Sequence, residues 1–240
     1  NNGIERDIQQ MWLLGAKSAD LVSERIAEFS IECDLKDGFI DVATNRKHMD
    51  DLIDRCEEWK QCGYHHQLEL VDETDVKKYV NSEAYVGGLI DSGSGHIHPL
   101  NLCLGEAKAA SELGVQIYEN TNAIEIAEGS PAKVLTENGS IEADYIVIAA
   151  NAYIGSLNNK LRRMVMPAAS CIIATEPLND EQAAKLMPSD MAVCDQNTIL
   201  DYYRLSADKR MLFGGRFNYS GKIPSDDRIK VEIKKRMVSV

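Results

Sequence analysis

At 240 residues the chain has material for one large domain or two small ones, and its 44% hydrophobic and 27% charged residues are those of a folded rather than a disordered protein. A net charge of -12 excludes a nucleic-acid partner, whose phosphates demand an excess of Lys and Arg, and it suits a cationic small-molecule substrate. No apolar run reaches the roughly 18 residues of a membrane span, no basic and apolar leader is visible, and six cysteines without a CxxC pair read as free thiols of a reducing cytoplasm.

Along the chain, Ile4, Ile8, Met11, Trp12, Gly15, Ala19, Val22, Ile26 and Phe29 recur at three- and four-residue steps and predict a long amphipathic helix. Ser30–Asp34 and Gly38–Val42 read as short strands around a Lys36-Asp37-Gly38 turn. A second helix follows, capped by Thr44 or Asn45, with Met49, Leu52, Ile53, Cys56 and Trp59 on its apolar stripe and Gly63 at its end. Leu68–Leu70 predicts a brief strand, and Asp72 with Asp75 opens a short helix through Tyr79. Gly93–His98 reads as a flexible glycine turn that approaches a ligand, and Pro99 lies in the first turn of a helix packed through Leu102, Ala109, Ala110 and Leu113.

Further on, Val115–Tyr118 and Ala123–Ile126 predict strands, and Val134–Ile141 a hairpin around Asn138-Gly139. The unbroken apolar run Tyr145–Ala150 predicts a strand covered on both faces. Strands near Cys171–Thr175, Leu200–Leu205 and Met211–Gly214 precede a helix from Asp226. Domain boundaries are expected near 86–88 and 156–166.

Few chemical motifs stand out. Gly93-Ser94-Gly95-His96-Ile97-His98 lacks the third glycine of a dinucleotide fingerprint. His96 and His98, two apart, face one side of an extended segment, which suits a metal, a cofactor or substrate contact, or a structural hydrogen bond. Cys56, Cys62, His65 and His66 match no structural zinc spacing, so no metal is expected there. Tyr203 and Arg204, with Arg210 and a Gly214-Gly215-Arg216 turn behind them, could hold a carboxylate. A Gly-x-Ser-x-Gly elbow, a phosphate-binding Walker loop and a His-Glu-x-x-His site are all missing from the sequence.

Taken together, Glu83–Leu89, Gly95–Leu102, Gly114–Glu119, Ala149–Tyr153, Ala174–Leu178 and Leu200–Leu205 resemble the D-amino-acid oxidase (DAO) superfamily of FAD-dependent oxidoreductases, closest to its bacterial gamma-glutamylputrescine oxidoreductase branch. The resemblance implies a mixed α/β (α+β) fold, in which a partial Rossmann-like FAD domain is interleaved with an antiparallel-sheet substrate domain. It places 1–29 as a linking helix, 30–87 and 157–240 in the substrate domain, and 88–156 in the FAD domain. By the same likeness Ile124, Ala149, Ala150, Asn151 and His96 would contact FAD, while Tyr203, Arg204 and His98 would line the substrate cavity.

The implied reaction is oxidation of an amine C–N bond to an imine, hydrolysed to aldehyde and ammonia, with peroxide formed from oxygen. The family's opening glycine-rich strand–turn–helix is not in this sequence. The expectation is therefore the interior of a larger enzyme, holding FAD weakly or not at all alone, with an open sheet edge able to pair with another copy. A glycine- or sarcosine-type oxidase and a non-catalytic binding module are the alternatives.

Overall fold

The computed structural model describes residues 2–218 and 226–239, with side chains for 10–215 and 230–239. The chain divides into two compact units: residues 1–110, 170–217 and 224–240 form the first, and 111–169 with 218–223 the second.

The first unit opens with helix α1 (Asn2–Glu28). On the predicted stripe, Ile26 is buried with Ile31 and Cys33, whereas Met11 is largely exposed; the side chains of Ile4 and Ile8 lie outside the described residues. Strand β1 (Lys36–Ala43) follows. Ser30 and Asp34 both take φ near +51°, a left-handed backbone that cannot propagate a strand, so the strand expected over Ser30–Asp34 does not form. The expected Lys36–Gly38 turn is instead the start of β1. Gly38, at φ +96°, sits where the register slips between Asp37 and Phe39, and the Met191 side chain fills the space a Cβ would need.

Asn45 caps helix α2 (Arg46–Gln61), its side chain accepting from the His48 N–H. Strand β2 (Leu68–Asp72) and a 3-10 turn at Val76–Lys78 come next; Asp72 Oδ1 accepts from the N–H groups of Thr74 and Asp75. The segment expected as a flexible turn begins inside strand β3 (Gly87–His96), which pairs antiparallel to β1 and, over Gly87–Asp91, to β2. Within that segment Gly95 and His96 pair with Asp37 and Lys36 of β1, which ties them into the sheet rather than a free loop. Helix α3 (Pro99–Glu112) buries Ala109, while Leu113 just past its end is exposed.

The second unit carries a meander of β4 (Ala123–Ala127), β5 (Ala132–Thr136) and β6 (Gly139–Ala143), the predicted hairpin among them. Thr136 pairs with Gly139, and Gly139 has no positive φ, so the hairpin closes without the dihedrals the Asn-Gly pair favours. Two expected strands are not formed. Residues 115–118 and 145–150 join no ladder, and Tyr145 and Val147 are 90% and 88% exposed. Apolar character alone does not make a strand; it needs a neighbour, and the β4–β5–β6 sheet ends at β6. A 3-10 turn (Asn151–Tyr153) and the four-residue helix α4 (Asn159–Arg162) close this unit.

Back in the first unit come β7 (Ala169–Ala174), α5 (Asp180–Leu186), β8 (Ala192–Asp195), β9 (Tyr202–Leu205), β10 (Met211–Asn218) and α6 (Asp226–Ser239). Residues 214–216, read above as a turn, lie within β10. The sheet runs β2-β3-β1-β8-β9-β10-β7, and β1 lies parallel to β8 with Phe39 opposite Ala192.

Strand alternation sorts side chains between two faces. Ile40, Val42, Ile90, Val193, Tyr203, Leu205 and Phe213 pack with Ala183 and Met187 of the α5 region and Ile233 of α6. On the other face Ala43 and Leu89 meet Leu52 and Cys56 of α2. Truncating a fully buried residue such as Leu52 to Ala costs about 2–5 kcal/mol. That second face also carries Asp41 and Asp91, and the candidate site lies there.

Candidate functional site

In the antiparallel β1–β3 register Phe39 faces Asp91 and Asp41 faces Leu89, and in the parallel β1–β8 register Asp41 faces Cys194. Two carboxylates therefore stand on neighbouring strands of one sheet. Asp41 accepts from Arg55 Nη1 and Gln196 Nε2, both at 2.8 Å, and Arg55 Nη2 also donates to the side-chain Oε1 of Gln196. Burial pushes the Asp41 carboxyl above its usual range, opposed by Arg55 and Gln196 and helped by the charge of Asp91.

Asp91 is buried and accepts from the Tyr64 hydroxyl at 2.8 and 3.0 Å, the Gly93 N–H at 2.9 Å and the Ser94 hydroxyl. Burial, then the bond to Asp91, raises the Tyr64 phenol and keeps it a donor. Beside Asp41, the Cys194 thiol is pushed up to about 12, first by burial and then by the Asp41 and Asp195 charges.

A cavity of about 450 Å³ opens over this face. Ala19, Val22 and Ser23 of α1 form one wall, and Phe39 and Trp59 supply aromatic surface. Among the described residues its lining includes the three carboxylates Asp37, Asp41 and Asp91 and neither Lys nor Arg. Edge-to-face contacts among Trp12, Trp59 and Tyr64, with ring centres 5.3–6.2 Å apart, brace the α1 and α2 sides. Such a lining attracts a cation through carboxylate charge and aromatic faces.

The residues singled out from sequence fall in several places. His96 lines this cavity, buried; its Nε2 donates to the Asp190 carbonyl at 2.8 Å, which leaves Nδ1 to accept from Arg204 at 3.4 Å. Arg204 also donates to the Ile97 and Leu205 carbonyls, and burial lowers its pKa from the ordinary guanidinium value. His98 is half-buried and works on α3, its Nδ1 accepting the Asn101 N–H.

Tyr203 and Arg204 do not converge, because consecutive strand residues point to opposite faces. Tyr203 stacks on Phe213 in the core, and its hydroxyl meets that of Tyr85 at 2.7 Å. In the second unit, Ile124 is 53% exposed on β4, Ala149 and Asn151 are exposed, and Ala150 is half-buried. Asp41, Arg55, Tyr64 and Gln196 were not singled out by sequence reasoning. An acid directly after two apolar residues on each strand, as in Phe39-Ile40-Asp41 and Leu89-Ile90-Asp91, is the signal that could have found the two carboxylates.

The sequence profile of the DAO family, described as FAD dependent oxidoreductase, matches residues 2–239. The chain belongs to this family. Among relatives of this DAO-family chain, the "Probable oxidoreductase OrdL" of Haemophilus influenzae is 43% identical over 216 residues, covering 88% of this chain and 50% of that protein. The gamma-glutamylputrescine oxidoreductase of Escherichia coli K12 is 39% identical over 211 residues, covering 88% of this chain and 49% of that protein. The chain thus spans about half the length of the curated relatives it matches.

Two solved structures share the fold of this DAO chain. L-proline dehydrogenase from P. horikoshii has a TM-score of 0.77 at 14% identity, over 93% of this chain and 60% of that one. Glycine oxidase from Geobacillus kaustophilus has a TM-score of 0.68 at 20% identity, over 92% and 62%.

FAD is the family's cofactor, and its pyrophosphate calls for a row of backbone N–H donors at a glycine-rich strand-to-helix turn. The junction of β3 and α3 does not offer one. Gly93 and Gly95 lie inside the strand, Gly95 is paired opposite Asp37, and the Asn101 N–H is taken by His98. That junction does not by itself make a cradle for this group.

Proposed function

We propose that the whole protein is an FAD-dependent amine oxidoreductase acting on gamma-glutamylputrescine or a similar polyamine derivative, and that this chain supplies the surface that receives the substrate's ammonium end. The observation that carries the reading is the cavity over β1 and β3, with three carboxylates, two aromatic side chains and, among the described residues, no Lys or Arg in its lining. A protonated amine there would gain from Asp41 and Asp91 and from the faces of Phe39 and Trp59, while its alkyl chain would lie along Leu35, Leu89 and Ile97. The E. coli relative's name supports the polyamine substrate. FAD would take up the electrons of the C–N oxidation; the residues of this chain bind, orient and exclude water.

The test is a substrate panel on the whole protein, read by peroxide release, comparing gamma-glutamylputrescine, putrescine, glycine and sarcosine. The expected order puts gamma-glutamylputrescine first, with D91N raising its KM about tenfold or more, a loss of about 1.4 kcal/mol. Preferred turnover of glycine or sarcosine would move the protein to the other oxidases of the family, which the glycine oxidase fold leaves open as a second reading. An unchanged KM in D91N would overturn the role of the carboxylates. The residues present also lead us to expect that this 240-residue chain alone keeps no flavin spectrum after FAD addition and desalting.

A further inference from the structure

We infer that Asp20, His65 and His66 form a site for one divalent transition metal ion of the zinc class, which would pin α1 to the segment between α2 and β2. His65 Nε2 lies 3.1 Å from Asp20 Oδ2 and His66 Nε2 lies 2.8 Å from Asp20 Oδ1. One ligating atom from each of the three residues can be chosen so that all lie within 4.8 Å of one another. Zinc binds imidazole nitrogen and carboxylate oxygen at about 2.0–2.2 Å, which sets donors a little over 3 Å apart in a tetrahedron.

Two imidazoles and one carboxylate form a donor set for Zn²⁺, Co²⁺ or Ni²⁺, whereas Mg²⁺ and Ca²⁺ take oxygen ligands. The His65 side chain is 57% exposed, which leaves a path for entry and room for a water as further ligand.

The site is held in place from behind. The His66 ring sits over Gly93, where an added Cβ would fall 2.2 Å from Cδ2, so residue 93 must lack a side chain for His66 to lie there. Tyr64 meets the same ring edge-on at 5.4 Å, and the two imidazoles lie 4.0 Å apart. Asp20 neighbours Ala19 of the cavity wall, so an ion here would fasten that wall over Asp41 and Asp91. The cysteines weighed with these histidines in the sequence take no part: Cys56 is buried with Leu52 and Leu89, and the third ligand comes from α1.

The test uses untagged whole protein stripped with EDTA and titrated with Co²⁺, followed by its visible d–d absorption, with Zn²⁺ as competitor. The expected result is a saturable 1:1 spectrum that Zn²⁺ displaces and excess Mg²⁺ does not. Changes outside the ligand set alone weaken metal sites about 10- to 100-fold, so H65A, on the exposed side, and D20N should each lose at least as much. C62S should bind as the wild type does. Absence of a d–d spectrum, binding unchanged in H65A, or a thiolate-to-cobalt charge-transfer band abolished by C62S would each overturn the assignment. Far-UV circular dichroism of H65A confirms that the variant compared is folded.

Discussion

Replacing Arg55 of α2 by methionine keeps an unbranched aliphatic side chain and removes the guanidinium that donates to Asp41 at 2.8 Å. Breaking a fully buried ion pair by deleting one partner costs about 3–5 kcal/mol. Here Arg55 is 31% exposed, Asp41 is 16% exposed and Gln196 still donates, so about 2 kcal/mol is expected at pH 7.5. The pH dependence separates charge from packing. Burial holds the native Asp41 carboxyl above its unfolded value. Between those two values the native state carries a proton that the unfolded chain lacks, so stability from this group rises as pH falls. Arg55 opposes that shift, and its loss extends the window upward, so R55M gains more from acidification than the wild type does. Urea unfolding at pH 7.5 and pH 5 should therefore show the gap between the two proteins narrowing at the lower pH. In a D41N background R55M should cost little. A gap of equal size at both pH values, or an undiminished cost in D41N, would refute the reasoning and leave lost packing as the cause.

Tyr85→Phe should leave the Tyr203 hydroxyl buried without its 2.7 Å partner and cost about 1–3 kcal/mol in thermal or urea unfolding, with the Y85F/Y203F pair costing less than the sum of the single changes. Gly93→Ala should drive a methyl group into the His66 ring and the Tyr64 hydroxyl, destabilise by about 1–3 kcal/mol, and raise KM for the amine by loosening Asp91; unchanged unfolding and KM would contradict this packing. With its thiol pushed up to about 12, Cys194 should resist iodoacetamide at pH 8 while the exposed Cys103 is alkylated, and peptide mass spectrometry reads the two rates; equal rates would contradict the shielding.

Elements whose hydrophobic period matches their environment are legible in the sequence. The Leu52 and Cys56 stripe, the Asn45 cap and the strands around Cys171, Tyr203 and Met211 are read correctly because each signal is local. Failures come where the deciding partner is remote. Tyr145–Ala150 has strand composition but no strand beside it, and Gly93–His96 has turn composition but ends a strand that pairs with β1. The site divides the same way. His96 shows as an unusual residue in an unusual run, whereas Asp41 and Asp91 become a pair only once β1 and β3 are in register. His65 and His66 are conspicuous side by side, but their companion Asp20 comes from a helix far earlier in the chain.

The seam between β1 and β8 has a consequence for how the first unit is made. Every other strand pair resolved in register in its sheet is antiparallel, and only at this seam do the early strands meet the late ones side by side. Asp41 and Gln196, which bond across it, are separated by 155 positions. Closing so long a loop is an entropic cost that must be met before the pairing returns anything, which slows folding. During synthesis the β2-β3-β1 half therefore waits with an open edge on β1 until β8 has emerged. The same join is where a split into two co-expressed pieces would test whether the halves can find each other without a covalent connection.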